Sequence, residues 1–183
     1  MSERAAAQSS PKHVFRLESR TPEQTSALGA LLGERIAPGT VVTLSGPFGA
    51  GKTTLVQGLG RGLGILSPIV SPSFALVNEY PALATGARIT LFHADLYRIQ
   101  STSEAYDLRL DDYLDQKAVL AVEWPEIAFD FLPIDRLSVH IRDRDAGRDI
   151  EISATGPTSL ELLTAIKEMM HAFEVQNAKP EVA

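Results

Sequence analysis

Between Gly46 and Thr54 the chain reads GPFGAGKTT, immediately after the apolar, β-branched run TVVTLS (Thr40–Ser45). Gly46, Gly51, Lys52 and Thr53 satisfy G-x-x-x-x-G-K-[ST], the P-loop pattern. Such a loop needs a strand that ends just before it and a helix that begins at its lysine. Its glycines then let the backbone turn sharply and bring successive amides close to an anion. The flanks agree. TVVTLS has the composition of a buried parallel strand, and KTTLVQGLGRGLGI (Lys52–Ile65) carries Leu55, Val56, Leu59 and Leu63 at helical spacing. The expected fold is α/β and P-loop NTPase-like, a central mixed sheet with parallel core strands, antiparallel hairpins and helices on both faces.

The rest of the chain supplies the remaining elements. FRLES (Phe15–Ser19) reads as a first strand. Thr21, Pro22 and Gln24 open a helix as N-cap, first position and capping-box partner, and Leu28, Leu31, Leu32 and Ile36 form its apolar face. Gly58, Gly60 and Gly62 weaken the P-loop helix by about 1 kcal/mol each relative to alanine. They do not satisfy G-x-G-x-x-G and are read as close-packing positions. VSPSFALVNEY (Val70–Tyr80) and ARITLFHADLYRI (Ala87–Ile99) read as two strands joined at Thr85-Gly86. Ser101 and Glu104 have capping-box spacing, and Ala118–Glu123 (AVLAVE) is a further buried strand. RLSVHIRD and RDIEISA flank Asp145-Ala146-Gly147 as a second hairpin. Thr158 and Glu161 are read as the cap of a last helix, with Leu160, Leu163, Ile166, Met170 and Phe173 on its apolar side.

The size and make-up fit one domain. The chain has 183 residues, of which 44% are hydrophobic and 22% charged. A single P-loop ATPase domain is expected over residues 14–173, between flexible tails at 1–13 and 174–183. Cysteine is absent, which excludes a disulfide framework, a thiolate zinc site and a cysteine nucleophile. That composition and the lack of an apolar core in MSERAAAQSSPKH lead to the expectation of a cytoplasmic protein without a secretory signal or a membrane partner. A net charge of −6 argues against an unaided grip on nucleic acid.

In a P-loop site the amides from Gly46 to Thr54, with Gly49, Ala50 and Gly51 among them, would hold phosphate oxygens. Lys52 would reach the β- and γ-phosphates, the Thr53 hydroxyl would bind Mg²⁺, and Thr54 would reach the α-phosphate. A second anchor for the metal is an acid at a strand end. Asp95, closing ITLFHAD, and Glu123, closing AVLAVE, are the candidates; the alternative for each is an acid that simply emerges into water. Asp107, Asp111, Asp112 and Asp115 are read as a solvated face. Neither N/T-K-x-D nor D-x-x-G occurs, so adenine is the expected base. Trp124, the single tryptophan, packs beside the ligand or in the core. His93 shares a strand face with Asp95 and is read as structural, with a catalytic role as the alternative.

LSGPFGAGKTTLVQGL, VSPSFALVNEY, FHADLYRI and AVEWPE, in this order, resemble the TsaE (YjeE) family of bacterial P-loop ATPases in tRNA threonylcarbamoyladenosine (t6A) formation. The likeness spans Val14 to Ala154. It implies ATP and Mg²⁺ as cofactors, with Lys52, Asp95 and Glu123 as the catalytic residues. It also implies a nucleotide-sensitive switch over Ser71, Pro72, Ser73 and Phe74. The implied partners are TsaB and TsaD, whose complex modifies adenosine-37 of tRNA. The family's ATP hydrolysis, weak alone and stimulated by those partners, would reset that complex between turnovers, and tRNA would be met only through it. Two positions depart from the family pattern: Pro47 stands where an acid is common, and Ser73 where threonine is common. A small-molecule kinase with Arg142, Arg144 and Arg148 near the phosphates, and a non-hydrolysing nucleotide-gated adaptor, are the rival readings.

Overall fold

A computed structural model describes residues 13–82, 87–114 and 118–177, with side chains of the last helix described as far as His171. Seven strands form one sheet: β1 (His13–Ser19), β2 (Val41–Ser45), β3 (Val77–Tyr80), β4 (Thr90–Asp95), β5 (Ala118–Glu123), β6 (Leu137–Arg144) and β7 (Gly147–Ala154). Their order is β1-β7-β6-β2-β5-β4-β3. The central ladders β6–β2, β2–β5 and β5–β4 are parallel, and β1–β7, β7–β6 and β4–β3 are antiparallel. Helices α1 (Pro22–Arg35), α2 (Lys52–Leu63), α3 (Thr102–Asp107) and α4 (Pro157–Asn177) complete the frame. This is the mixed α/β sheet expected. α4 continues four residues past 173, and the tail expected at 1–13 lies outside the described residues except for His13, which opens β1. Thr85, Gly86 and Asp115 also lie outside them.

The two sheet faces are covered unequally. On one, α1, α2 and α4 bury Leu28, Leu32, Leu55, Leu59, Leu163 and Ile166 against Val42, Leu44, Val139 and Ile152. On the other, α3 and short 3-10 turns cover Ala94, Leu120 and Val122 with Ala105, Leu110 and Ala128. Strand β5 is buried at all six positions, because both faces are roofed there. α1 and α2 cross with almost no side chain between them. A Cβ on Gly58 would stand 2.0 Å from the Ser26 carbonyl oxygen, and one on Gly62 would stand 2.1 Å from that of Ala30. Gly29 and Gly33 on α1 meet α2 in the same way.

The start of α1 is built as its sequence suggests, with one shift. Thr21 accepts from the Gln24 amide at 3.3 Å, while Gln24 reaches back to the amide of Arg20 and not to that of Thr21. Two expectations are corrected. The segment Val70–Leu76 is no strand: the Leu76 amide closes a turn onto the Pro72 carbonyl at 2.7 Å, Leu76 itself has φ 63°, and extended pairing begins at Val77. Pro72, which has no N–H to give a ladder, favours that outcome.

The second correction concerns α4, whose first amides are not capped by Thr158 and Glu161. The Asp135 carboxylate, arriving from the loop before β6, accepts from the Thr158 and Ser159 amides at 2.8 and 2.9 Å. Ser159 accepts from the Thr155 and Gly156 amides. Burial pushes the Asp135 pKa up, but the hydrogen bonds from Ser159 and Thr158 outweigh it and leave the group below its ordinary value. The stabilisation is therefore complete above the unfolded pKa and is lost as pH falls through the lower folded one. Asp135→Ala should lower stability by about 1 kcal/mol near neutrality, the usual worth of a helix cap. Urea melts of variant and parent should converge as pH drops into the acid range; a constant gap would refute the cap.

Candidate functional site

Strand β2 ends at Ser45 and the chain turns at once through three glycines with positive φ: Gly46 (136°), Gly49 (76°) and Gly51 (105°). The first of these also has no room for a side chain, since a Cβ would meet the Ile141 carbonyl oxygen at 2.1 Å. Gly51 stands at the head of α2 without a side-chain cap, so the first amides of that helix are left for another acceptor. From the hairpin side, Arg148 of β7 donates to the Ala50 carbonyl at 3.0 Å and to that of Gly49 at 3.3 Å. Two outer carbonyls of the loop are thereby tied away from its interior.

Beside the loop lies a cleft of about 330 Å³ lined by residues from four stretches of chain, among them Lys52, Thr53, Asp95, Glu123 and Trp124. Parallel pairing explains their convergence. Asp95 and Glu123 are opposite one another in the β4–β5 ladder, and Glu123 is opposite Leu44 of β2, the residue before the strand's last. Three buried charged side chains thus meet here, with Lys52 4%, Asp95 5% and Glu123 3% exposed.

Each has partners that are costly to lose at such burial. Thr53 donates its hydroxyl hydrogen to Glu123 Oε1 at 2.8 Å. Asp95 Oδ2 accepts from Ser71 at 2.6 Å and Ser73 at 3.3 Å, and its Oδ1 accepts from the Tyr97 amide. Lys52 Nζ donates to the Gly46 and Pro47 carbonyls at 2.9 and 2.8 Å and lies 3.8 Å above the centre of the Trp124 ring. Burial pulls the Lys52 pKa down, and the charges of Glu123, Asp95 and Glu126 oppose that shift.

Several residues fall differently from a sequence-based reading. Trp124 is half-buried in the cleft wall, in a left-handed conformation (φ 56°), and packs against Tyr97 with ring centres 5.1 Å apart and planes tilted by 51°. Gly46 is not among the residues that line the main cleft, and Ala50 lines a neighbouring cleft of about 140 Å³ with Thr21, Thr25 and Arg148. Thr54 borders both clefts. Of the Ser71–Phe74 segment, Ser71 and Ser73 reach the cleft; Phe74 is 88% exposed beneath the Arg98 guanidinium. Asp107, Asp111 and Asp112 are exposed, away from the cleft. Arg142 and Arg144 line a separate groove with Arg16 and Glu151. Phe48 and Tyr97, which also line the main cleft, were missed from sequence; their position inside the two motifs was the available signal.

Hydroxyl and carboxylate oxygens are hard donors. A Mg²⁺ ion is held by one or two carboxylates, substrate phosphates and its own waters, so Thr53, Asp95 and Glu123 suit it chemically. Among the described residues no group of three His, Asp or Glu side chains is placed to hold a metal.

Comparison with known proteins agrees with this architecture. The family model described as "Threonylcarbamoyl adenosine biosynthesis protein TsaE" matches residues 19–150. A Nostoc protein named tRNA threonylcarbamoyladenosine biosynthesis protein TsaE is 43% identical over 146 residues, 77% of this chain and 86% of its own. The Bacillus subtilis protein of the same name is 40% identical over 136 residues, 74% of this chain and 82% of its own. The crystal structure of Bacillus YdiB superposes with a TM-score of 0.73 at 30% identity, over 86% of this chain and 96% of that one. With the P-loop, both strand-end acids and the tryptophan that follows the second all lying within the matched span, the chain belongs to the TsaE family.

Proposed function

We propose that this protein is a Mg-dependent ATPase serving t6A formation on tRNA, acting on a TsaB–TsaD complex and resetting it between turnovers. The observation that carries the reading is the hydrogen bond from Thr53 to Glu123 at the mouth of a P-loop, with Asp95 next to Glu123 across the ladder. In that arrangement a threonine whose hydroxyl hydrogen is taken by a carboxylate presents its oxygen lone pairs to a cation. Thr53, Glu123 and Asp95 would hold Mg²⁺, which would supply charge neutralisation at the phosphates. The protein's own part is positional. Loop amides and the head of α2 bind the phosphates, Lys52 exchanges the Gly46 and Pro47 carbonyls for phosphate oxygens, and Glu123 and Asp95 orient metal and water. The Ser71/Ser73 contacts with Asp95 make the switch loop sensitive to what Asp95 binds. The net charge of −6 favours docking on proteins over holding tRNA directly.

The test is reconstitution of multiple-turnover modification with ATP, tRNA, TsaB, TsaC and TsaD. Omitting this chain should stop turnover after the first cycle, and modification that proceeds equally without it would defeat the proposal. Glu123→Gln separates an ATPase from a nucleotide-gated adaptor. The amide keeps an oxygen for Thr53, so ATP binding should persist while phosphate release falls by about 10²-fold or more, the usual loss on removing a catalytic acid–base or charge-stabilising group. An adaptor would keep its function with Glu123→Gln.

A further inference from the structure

His93 is completely buried on β4, and the reading above gives it no task. Its Nε2 lies 2.9 Å from Glu123 Oε1, the same oxygen that accepts the Thr53 hydroxyl. Its Nδ1 is buried without a hydrogen-bond partner among the described residues. The register explains the reach. His93 stands opposite Ala121 in the β4–β5 ladder, and Glu123 lies two residues further along the same face. The short side chain of Ala121 leaves the imidazole space to lean along β5.

Chemistry then assigns the hydrogens. An ionised carboxylate only accepts, so Nε2 carries the proton that joins it to Oε1, and Nδ1 is an unfilled acceptor. An apolar residue of similar size would fill the same space and orphan no nitrogen. Packing alone therefore gives no reason for histidine here, and such a local conflict is expected where a side chain serves a site.

We infer that His93 is a positioning residue for Glu123. Its Nε2–H and the Thr53 hydroxyl hold Oε1 from two sides and leave the second carboxylate oxygen to the cleft that Glu123 lines. This rests on the ATPase reading, because it is for metal and water in that cleft that the carboxylate must be aimed.

Two variants of the full chain test it: His93→Leu fills the space without a donor, and His93→Gln restores one. Folding is monitored by circular dichroism and ATP binding by calorimetry. His93→Leu should bind metal-free ATP like the parent. The Mn²⁺ concentration that half-saturates its ATP complex should rise, and kcat should fall, each by about 10–100-fold, as is typical when the support of a metal ligand is removed. KM should stay put, and His93→Gln should recover most of both losses. A folded His93→Leu with parental Mn²⁺ midpoint and kcat would overturn the inference, as would a glutamine variant no better than leucine. A separate arm needs no nucleotide. In ¹⁵N-histidine spectra of the free protein, His93 should show a slowly exchanging Nε2–H and a bare Nδ1, and Glu123→Ala should remove that protection. The opposite tautomer would overturn the inference. A parent protein that takes up no Mn²⁺ with ATP would instead sink the ATPase reading, while the spectra still judge the His93–Glu123 contact.

Discussion

Replacing Lys52 by alanine should lower Mg-ATP hydrolysis by about 10²–10³-fold, the loss seen when one preorganised electrostatic donor is removed from a water-poor site. It should weaken ATP binding in the same variant. The expectation follows from where the ammonium is held. It is 4% exposed, bonded to two loop carbonyls and placed over the Trp124 ring. Much of its desolvation is therefore already met before a ligand arrives. Exchanging the carbonyls for phosphate oxygens replaces neutral acceptors by charged ones, and such hydrogen bonds are roughly twice as strong. The molecule carries its own reporter: Trp124 is the only tryptophan, and its ring would lose its cation if Lys52 turned to phosphate. Mg-ATP should change the emission of the parent and leave that of Lys52→Ala nearly unaltered. Calorimetry that finds equal affinity in both would remove the basis of the functional reading.

Gly58→Ala should destabilise the fold by about 2 kcal/mol although alanine is the better helix former. Propensity favours the change by about 1 kcal/mol. Against it stands overpacking, usually about 1–3 kcal/mol and occasionally more. Here the upper end applies, because the added Cβ meets the Ser26 carbonyl at 2.0 Å and the Gly29 Cα at 3.0 Å. Both are backbone atoms of α1, so no side chain can rotate away and two helices must part. A fall of about 4–8 °C in the melting temperature is expected for a chain of this size. An unchanged or higher midpoint would mean that the helices have slack at their crossing. The P-loop rides on α2, so nucleotide affinity should weaken along with stability.

Much of this was legible in the chain itself. Strand, glycine loop and helix around Lys52 follow from local composition, and AVLAVE announces a strand roofed on both faces. The glycines of α2 were readable as packing positions, yet their partners Gly29 and Gly33 were not singled out. Isolated small residues in a helical pattern carry no sign of what approaches them. The cap of α4 was misassigned for a related reason. Thr158 and Glu161 have the right spacing, but Asp135 arrives from 23 residues upstream and takes the amide of Thr158 first. Ser71 to Leu76 has strand-like neighbours, whereas its serines are occupied by Asp95 on a strand formed later in the chain. His93 was visible as sharing a face with Asp95; that it bonds to Glu123 was not.

The sequence by itself determined most of the strands and helices, the faces they bury, and the glycine-rich turn that joins β2 to α2. These are properties of neighbours a few positions apart. Only the tertiary structure decided that Glu123 faces Thr53, that Asp95 is claimed by two serines, and that Lys52 rests on Trp124. Those pairings depend on the order β2-β5-β4 and on the registers of parallel ladders. Such registers are set by crossovers and by burial on both faces, over separations at which no local pattern remains.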